Sequence, residues 1–182
     1  MRCPWCGTDP LYLRYHDEEW GRPLYDEHKL FEFLILETFQ AGLSWRTILY
    51  KREAFRLAFD NFDAQKIAVY DDQRLNALLT NSDIIRNRAK IIATIANARA
   101  YLALKEKGSF AEWLWQHVGG KPQRNAWEKI EDIPAYTPTA EKLTQNLKKA
   151  GFKFVGPATV YAFMQATGMV NDHLTSCDYY LR

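Results

Sequence analysis

The chain has 182 residues, enough for one well-buried domain or a domain with a small lobe. Hydrophobic residues make up 47% and charged residues 25%, which excludes a disordered or fibrous chain. A formal charge of +2 announces no nucleic-acid binder, so any such role needs a local basic patch.

The opening Met1-Arg2-Cys3-Pro4-Trp5-Cys6 has no apolar run, so no secretory leader is expected. Three cysteines, an odd number, suit a reducing cytoplasm better than a disulfide framework. Asp9-Pro10 reads as an N-cap with proline at the first helical position. The segment from about Glu27 to Gln40 is the most apolar helix, with Leu30, Phe31, Phe33, Leu34, Ile35 and Leu36 covering more than one face. Such a helix is central and buried. Glu32 and Glu37 interrupt it, and no stretch reaches the length of a membrane span.

After an Ala41-Gly42 break, Ser44 caps a helix running towards Phe59, and Asp63 and Asp71 each start short helices. Ile84 to Lys105 is the longest periodic segment, with Ile91, Ile92, Ile95 and Leu102 expected towards the core. Ser109-Phe110-Ala111-Glu112 is a capping-box sequence. The stretch from Gly119 to Pro138, broken by Pro122, Pro134 and Pro138, reads as a long surface connection. Thr137-Pro138 opens a helix ending at Gly151. Apart from Phe152–Val155 no segment reads as a strand, and the expected class is all-α.

Cys3 and His16 near one end and His173 and Cys177 near the other form a set that structural zinc prefers. His173 and Cys177 are spaced i,i+4, so on a helical turn both would project from one face. The alternative is two buried thiols and two ordinary histidines. Such a site joining the ends would divide the single domain into a helical core of about 25–170 and a small lobe from about 1–24 and 171–182.

The segment Leu147 to Thr159 reads as a helix, a glycine-bounded turn and a second helix. Gly151 suits a left-handed C-terminal cap, and Gly156-Pro157 suits a helix start. Glycine at Gly156 would let backbone N–H groups approach a phosphate, and Lys148, Lys149 and Lys153 supply local charge. This is the pattern of a helix-hairpin-helix clamp on a DNA strand, set against a plain helical hairpin with solvated lysines.

Glu37 lies near the end of the apolar helix. It is either solvated beside Glu32 and Gln40 or turned inward. Trp5, Tyr12, Tyr15, Trp20 and Trp45 cluster nearby in sequence, and aromatic walls with one carboxylate suit a flat cationic ligand.

Six motifs together are specific: Tyr12-x-x-Tyr15-His16-Asp17-x-Glu19-Trp20-Gly21, Gln40-Ala41-Gly42-Leu43-Ser44-Trp45, Ile84-Ile85-Arg86-x-Arg88-x-Lys90-Ile91, Asn97-Ala98-Arg99-Ala100-Tyr101, Gly151-Phe152-Lys153-Phe154-Val155-Gly156 and Val170-Asn171-Asp172-His173. In this order, over nearly the whole chain, they resemble the DNA-3-methyladenine glycosylase I family of constitutive bacterial alkylpurine glycosylases. The resemblance implies an all-helical helix-hairpin-helix glycosylase that hydrolyses the N-glycosidic bond of 3-methyladenine in alkylated double-stranded DNA. The free base is released and an abasic site remains. It also implies a structural zinc on Cys3, His16, His173 and Cys177, with no catalytic cofactor. Two departures stand out: Cys6 is an extra thiol beside Cys3, and the sequence ends at Arg182 without the cysteine-bearing tail of some relatives.

On this reading Glu37 is the catalytic carboxylate and accepts hydrogen bonds from the adenine edge. Tyr15 is its polar partner, Trp45 stacks on the base, and Trp5 and Tyr12 complete the pocket. Gly42 and Leu43 lie where an apolar side chain could wedge into the gap left by a flipped nucleotide; the alternative for Leu43 is a helix staple. Gly151, Lys153 and Gly156 grip the DNA backbone. Asp172 is the nearest candidate for the water-activating aspartate of related glycosylases. It adjoins His173, so orienting a zinc ligand is an equal alternative, and it stays outside the catalytic set. A cytoplasmic monomer, associated with the nucleoid through DNA and not with membranes, is expected. The rival readings are a non-catalytic lesion-binding module, a zinc-stabilised helical protein with no DNA role, and a glycosylase of different lesion choice.

Overall fold

The computed structural model describes residues 1–181, and helices dominate it. The first nine residues hold a 3-10 turn at Pro4–Cys6, followed by α1 (Pro10–Glu18), α2 (Glu27–Gln40), α3 (Trp45–Ala58), α4 (Ala64–Ile67) and α5 (Asp72–Thr80). The remaining helices are α6 (Arg88–Lys105), α7 (Phe110–Trp115), α8 (Pro138–Lys149) and α9 (Pro157–Ala166). Their starts follow local chemistry. Asp9 accepts from the Leu11 and Tyr12 amides, both at 3.0 Å, Ser44 from Thr47 at 3.2 Å and Thr137 from Ala140 at 3.3 Å. Each supplies an acceptor to N–H groups that the helix leaves unpaired.

Helix α2 is the axis of the molecule. Every residue from Leu30 to Phe39 is buried, and the helix packs against α3, α6 and α9. One apolar cluster runs from Cys3, Tyr15 and Trp20 through α2 to Met169, Leu174 and Cys177. The chain ends meet: the Asp178 amide donates to the Met1 carbonyl at 2.9 Å, and the Asn171 side chain donates to the Tyr180 carbonyl at 3.1 Å.

Several sequence expectations need correction. The long periodic segment becomes helical only at Arg88, where the Asn87 side chain accepts from the Lys90 amide at 3.1 Å. Within it Ile91 is buried but Ile92 is 46% exposed, because neighbours covering α6 leave that side to solvent. The capping serine Ser109 does accept from the Glu112 amide, but its hydroxyl donates to Glu27 of α2 at 2.7 Å, so the cap is tertiary as well as local.

Phe152–Val155 forms no strand; it is the turn between α8 and α9. Among the described residues two short strands do form, β1 (Gln123–Arg124) and β2 (Val170–Asn171), paired in parallel with Gln123 opposite Val170. His173 and Cys177 do not share a helix. A turn closed by the Cys177 amide on the Leu174 carbonyl at 2.8 Å brings them together. Among the described residues no helix is long and apolar enough to cross a membrane.

Candidate functional site: an aromatic cavity and a Cys/His cluster

Trp5, Tyr12, Tyr15, Glu37 and Trp45 line one cavity of about 310 Å³, with Trp20, Gln40, Ile130, Ile133, Ala162 and Gln165. Three elements build it. The turn before α1 brings Trp5 against Tyr12, edge to face at 5.1 Å between centroids, and against Trp20 at 4.9 Å. Helix α1 presents Tyr15 to Trp45 at 5.3 Å, and Phe33 of α2 stacks behind Trp45 at 6.1 Å. Helix α2 supplies the acid.

Glu37 is turned inward, 3% exposed. Its Oε2 has no hydrogen-bond partner among the described residues, and burial alone raises its pKa well above the ordinary carboxylate range. The other acid of α2, Glu32, is equally buried but paired with Arg56, at 2.7 Å. The fold therefore neutralises one carboxylate of this helix and leaves the other facing the cavity. Gln40 Oε1 and Trp45 Nε1 are also buried without partners, so two acceptors and a donor line the same space. Burial, and then the charge of Glu37, hold the Tyr15 hydroxyl well above its usual pKa. A polar set of this kind, walled by rings, fits a flat ligand with an N–H edge and positive charge.

A larger groove of about 810 Å³ lies elsewhere, beside His28, Asp60, Tyr101 and Lys105. None of the unpartnered buried polar atoms lines it. Three of them belong to residues that line the smaller cavity.

Reasoning from sequence missed Gln40, Ile130, Ile133, Ala162 and Gln165 as cavity residues. The supposed surface connection folds back so that Ile130 and Ile133 form one wall. Asp172 holds it there. This buried carboxylate accepts from Asn125 (2.7 Å) and Trp127 (2.8 Å) of the connection, and from Tyr161 (2.5 Å) and Gln165 (2.7 Å) of α9. These four partners are all donors from neighbouring elements, and Asp172 does not line the cavity.

Behind the cavity, Cys3, His16, His173 and Cys177 are all buried, with one potential ligand atom from each within 4.8 Å of all the others. His16 Nδ1 donates to Asp17 at 2.8 Å, and His173 Nε2 donates to the Trp20 carbonyl at 3.1 Å. These contacts turn His16 Nε2 and His173 Nδ1 towards the thiols, with S···N separations of 3.5 to 3.6 Å. Burial lowers the pKa of both rings, that of His173 to about 4, so both are neutral and able to ligate near pH 7. Asp17, held well below the usual range chiefly by Arg2, is the orienting carboxylate that sequence reasoning had sought in Asp172. Cys6 stands outside the four-residue set, and its thiol donates to the Cys3 carbonyl at 3.0 Å.

The remaining candidates lie on two turns. Between α2 and α3, Gly42 is exposed with φ 80° and Leu43 is 44% exposed. At that exposure Leu43 lies outside the apolar core. Between α8 and α9, Gly151 has φ 102°. Its amide donates to the Lys148 carbonyl and the Phe152 amide to that of Leu147, both at 3.0 Å, which is the hydrogen-bond pattern of a Schellman cap. Gly156 caps α9 in an ordinary extended conformation, with no side-chain cap and open space where a Cβ would stand. Lys148, Lys149 and Lys153 are exposed around this turn.

Comparison with known proteins gives one consistent result. The sequence profile described as "Methyladenine glycosylase" matches residues 5–180. The "DNA-3-methyladenine glycosylase" of Haemophilus influenzae is 47% identical over 177 residues, covering 97% of this chain and 96% of that one. A crystal structure of 3-methyladenine DNA glycosylase I superposes with a TM-score of 0.96 at 50% identity, covering 98% of each chain. A structure described as a variant of 3-methyladenine DNA glycosylase I in complex with 3-methyladenine superposes with a TM-score of 0.95 at 41% identity, covering 98% of this chain and 97% of that one.

Proposed function

The chain belongs to the methyladenine glycosylase family, and from that premise we propose how its own residues carry the family's reaction. It is a DNA glycosylase of base excision repair that releases 3-methyladenine. The bond between the sugar C1′ and the purine breaks, the bonding electrons neutralise the alkylated base, and water supplies the hydroxyl left on C1′ and gives up its other proton to solvent. Because the base departs uncharged, little general-acid help is needed. The task is to extract the nucleotide and prefer the damaged base.

Glu37 is the residue on which that preference rests. An unpartnered carboxylate inside an apolar wall is costly in the free protein, and a cationic base bringing N–H donors relieves that cost. A neutral adenine offers no charge to relieve it, so the discrimination is electrostatic. Trp45 is the stacking surface, Tyr15 the polar neighbour, and Trp5 and Tyr12 close the pocket. The observation that carries this reading is the free Glu37 oxygen in an aromatic cavity.

Leu43 is the wedge into duplex DNA, presented beyond Gly42. The α8–α9 segment is a helix-hairpin-helix clamp, with Gly151, Lys153 and Gly156 at the DNA backbone. The Gly156 backbone does not itself demand glycine, and the open space beside it leaves room for the close approach of a phosphate. The protein acts on double-stranded DNA as a monomer, as one domain in which the two chain ends form the smaller lobe.

The Cys3, His16, His173 and Cys177 cluster fits structural Zn²⁺. Zn–S bonds of about 2.3 Å and Zn–N bonds of about 2.0–2.1 Å in a tetrahedron imply S···N edges of about 3.6 Å. The observed 3.5 to 3.6 Å matches that edge. With all four positions taken by protein, the metal would tie the two ends of the chain and leave no open site for chemistry.

Chromatography of the bases released from methylated duplex DNA tests the proposal. Release of 3-methyladenine that falls in the Glu37→Gln variant is expected. Lesion-specific binding without release would instead identify a non-catalytic module.

A further inference from the structure

Lys90 belongs to none of the groups described so far, yet it is 5% exposed and its ammonium faces no carboxylate within ion-pair distance among the described residues. Its Nζ donates instead to two main-chain carbonyls at the end of α2, those of Phe39 at 2.7 Å and Ala41 at 2.6 Å. A buried cation that meets carbonyls and no carboxylate is costly, and α2 gains from it a positive charge at its C-terminus.

The Ala41 contact has a conformational consequence. Ala41 at φ −48°, ψ 117°, Gly42 at φ 80° and the Leu43 amide donating to the Gln40 carbonyl at 2.6 Å together make a type II turn. A type I turn would rotate the Ala41–Gly42 peptide over and carry the Ala41 carbonyl away from the ammonium. Lys90 thus selects one of the two turns, and with it the direction in which Leu43 leaves the surface.

The same helix governs the second DNA-facing turn. Asn97, seven residues and two turns along α6 from Lys90, accepts from the Lys153 amide at 2.7 Å and donates to the Lys153 carbonyl at 3.1 Å. The Lys90 ammonium lies 5.8 Å from the ring centroid of Phe154, in that turn. One face of α6 therefore grips both turns.

We propose that Lys90 is a positioning residue for base excision, holding the Gln40–Leu43 turn in the form that aims Leu43 into the duplex, in register with the turn that Asn97 holds. This rests on the wedge reading of Leu43. Lys90 does not line the base cavity, so its effect is on extraction of the nucleotide and not on recognition of the base.

A double-mutant cycle on the zinc-loaded protein tests it, reading single-turnover excision from methylated duplex DNA and the binding of free 3-methyladenine. Lys90→Met and Leu43→Ala should each slow excision about tenfold, and the double variant no more than the slower single one, with base binding by Lys90→Met within about twofold of the parent. Lys90→Arg, which keeps a buried cation, should recover most of the rate. Multiplying effects, an unchanged rate in Lys90→Met, or loss of base binding along with the rate would overturn the role of Lys90 while leaving the wedge standing. An unchanged rate in Leu43→Ala would overturn the wedge and this inference with it. Should the Met variant not fold, the cycle is run with Lys90→Gln, read by the same outcomes.

Discussion

Asp172 accepts a hydrogen bond from the indole of Trp127 at 2.8 Å, and this contact joins the strand after α9 to the long connection that walls the base cavity. Asn125, Tyr161 and Gln165 donate to the same carboxylate, so one buried acid organises three segments. Replacing Asp172 with Ala leaves those donors buried without an acceptor. We expect a loss of about 2–4 kcal/mol in chemical denaturation at unchanged m-value. A variant within about 0.5 kcal/mol of the parent would mean the hub is not a structural one.

Glu37→Gln should slow excision, because the neutral amide offers no charge to the cationic base while it is attached to the sugar, and should weaken binding of the free, neutral base through the lost carboxylate acceptor. Metal content should not change, since the Cys/His cluster lies behind the cavity. Excision at the parental rate would assign the carboxylate another task.

The same variant should reveal a pH dependence of stability. Burial raises the folded-state pKa of Glu37 above its ordinary 4.5. Below that value both folded and unfolded chains hold the proton and Glu37 carries no charge penalty. As pH rises, the unfolded chain releases its proton first, so stability is lost until the folded-state pKa is passed. Thermal scans should therefore show Glu37→Gln gaining on the parent from about pH 4.5 upward. A difference that stays flat with pH would show that Glu37 is not desolvated.

Metal analysis should find one zinc per chain. Cys177→Ala should lose it, whereas Cys6→Ser should keep it, because Cys6 stands outside the ligand set. Zinc held at about a thousandfold above its Kd contributes about 4 kcal/mol. For a chain of this size that corresponds to a Tm fall of roughly 8–16 °C on chelation. Retention of the metal by Cys177→Ala would move the site elsewhere.

Neutralising Lys148, Lys149 and Lys153 should weaken duplex binding irrespective of sequence. The slope of log K against log salt should become shallower by about one unit for each lysine that meets a phosphate. An unaltered slope would place the DNA away from the α8–α9 turn.

Local chemistry made much of this molecule readable in one dimension. Asp9, Ser44, Asp63, Asp71, Ser109 and Thr137 all cap the helices they precede, since a cap needs only a side-chain oxygen and an amide two or three residues away. Gly151 was legible for the same reason. The metal ligands were legible by residue type, but their meeting depends on a turn, not on the helical spacing of His173 and Cys177.

The orientation of Glu37 lay beyond that reach. A helix that is buried on all sides has no polar face, so periodicity cannot say which acid points where. Glu32 is matched to Arg56 across 24 residues of chain, and Glu37 is left unmatched. Lys90, which the periodicity places merely within a long helix, is a cation closing α2 from 49 residues away. Ile130 and Ile133 became cavity wall through contacts distant in sequence, among them those of Asp172 and the pairing of β1 with β2. Sequence alone determined the helices, their caps and the residue types available for chemistry, because those follow from neighbours along the chain. Tertiary structure alone decided which charge is neutralised and which is kept waiting, because that depends on what distant segments bring to a buried group once water has been excluded.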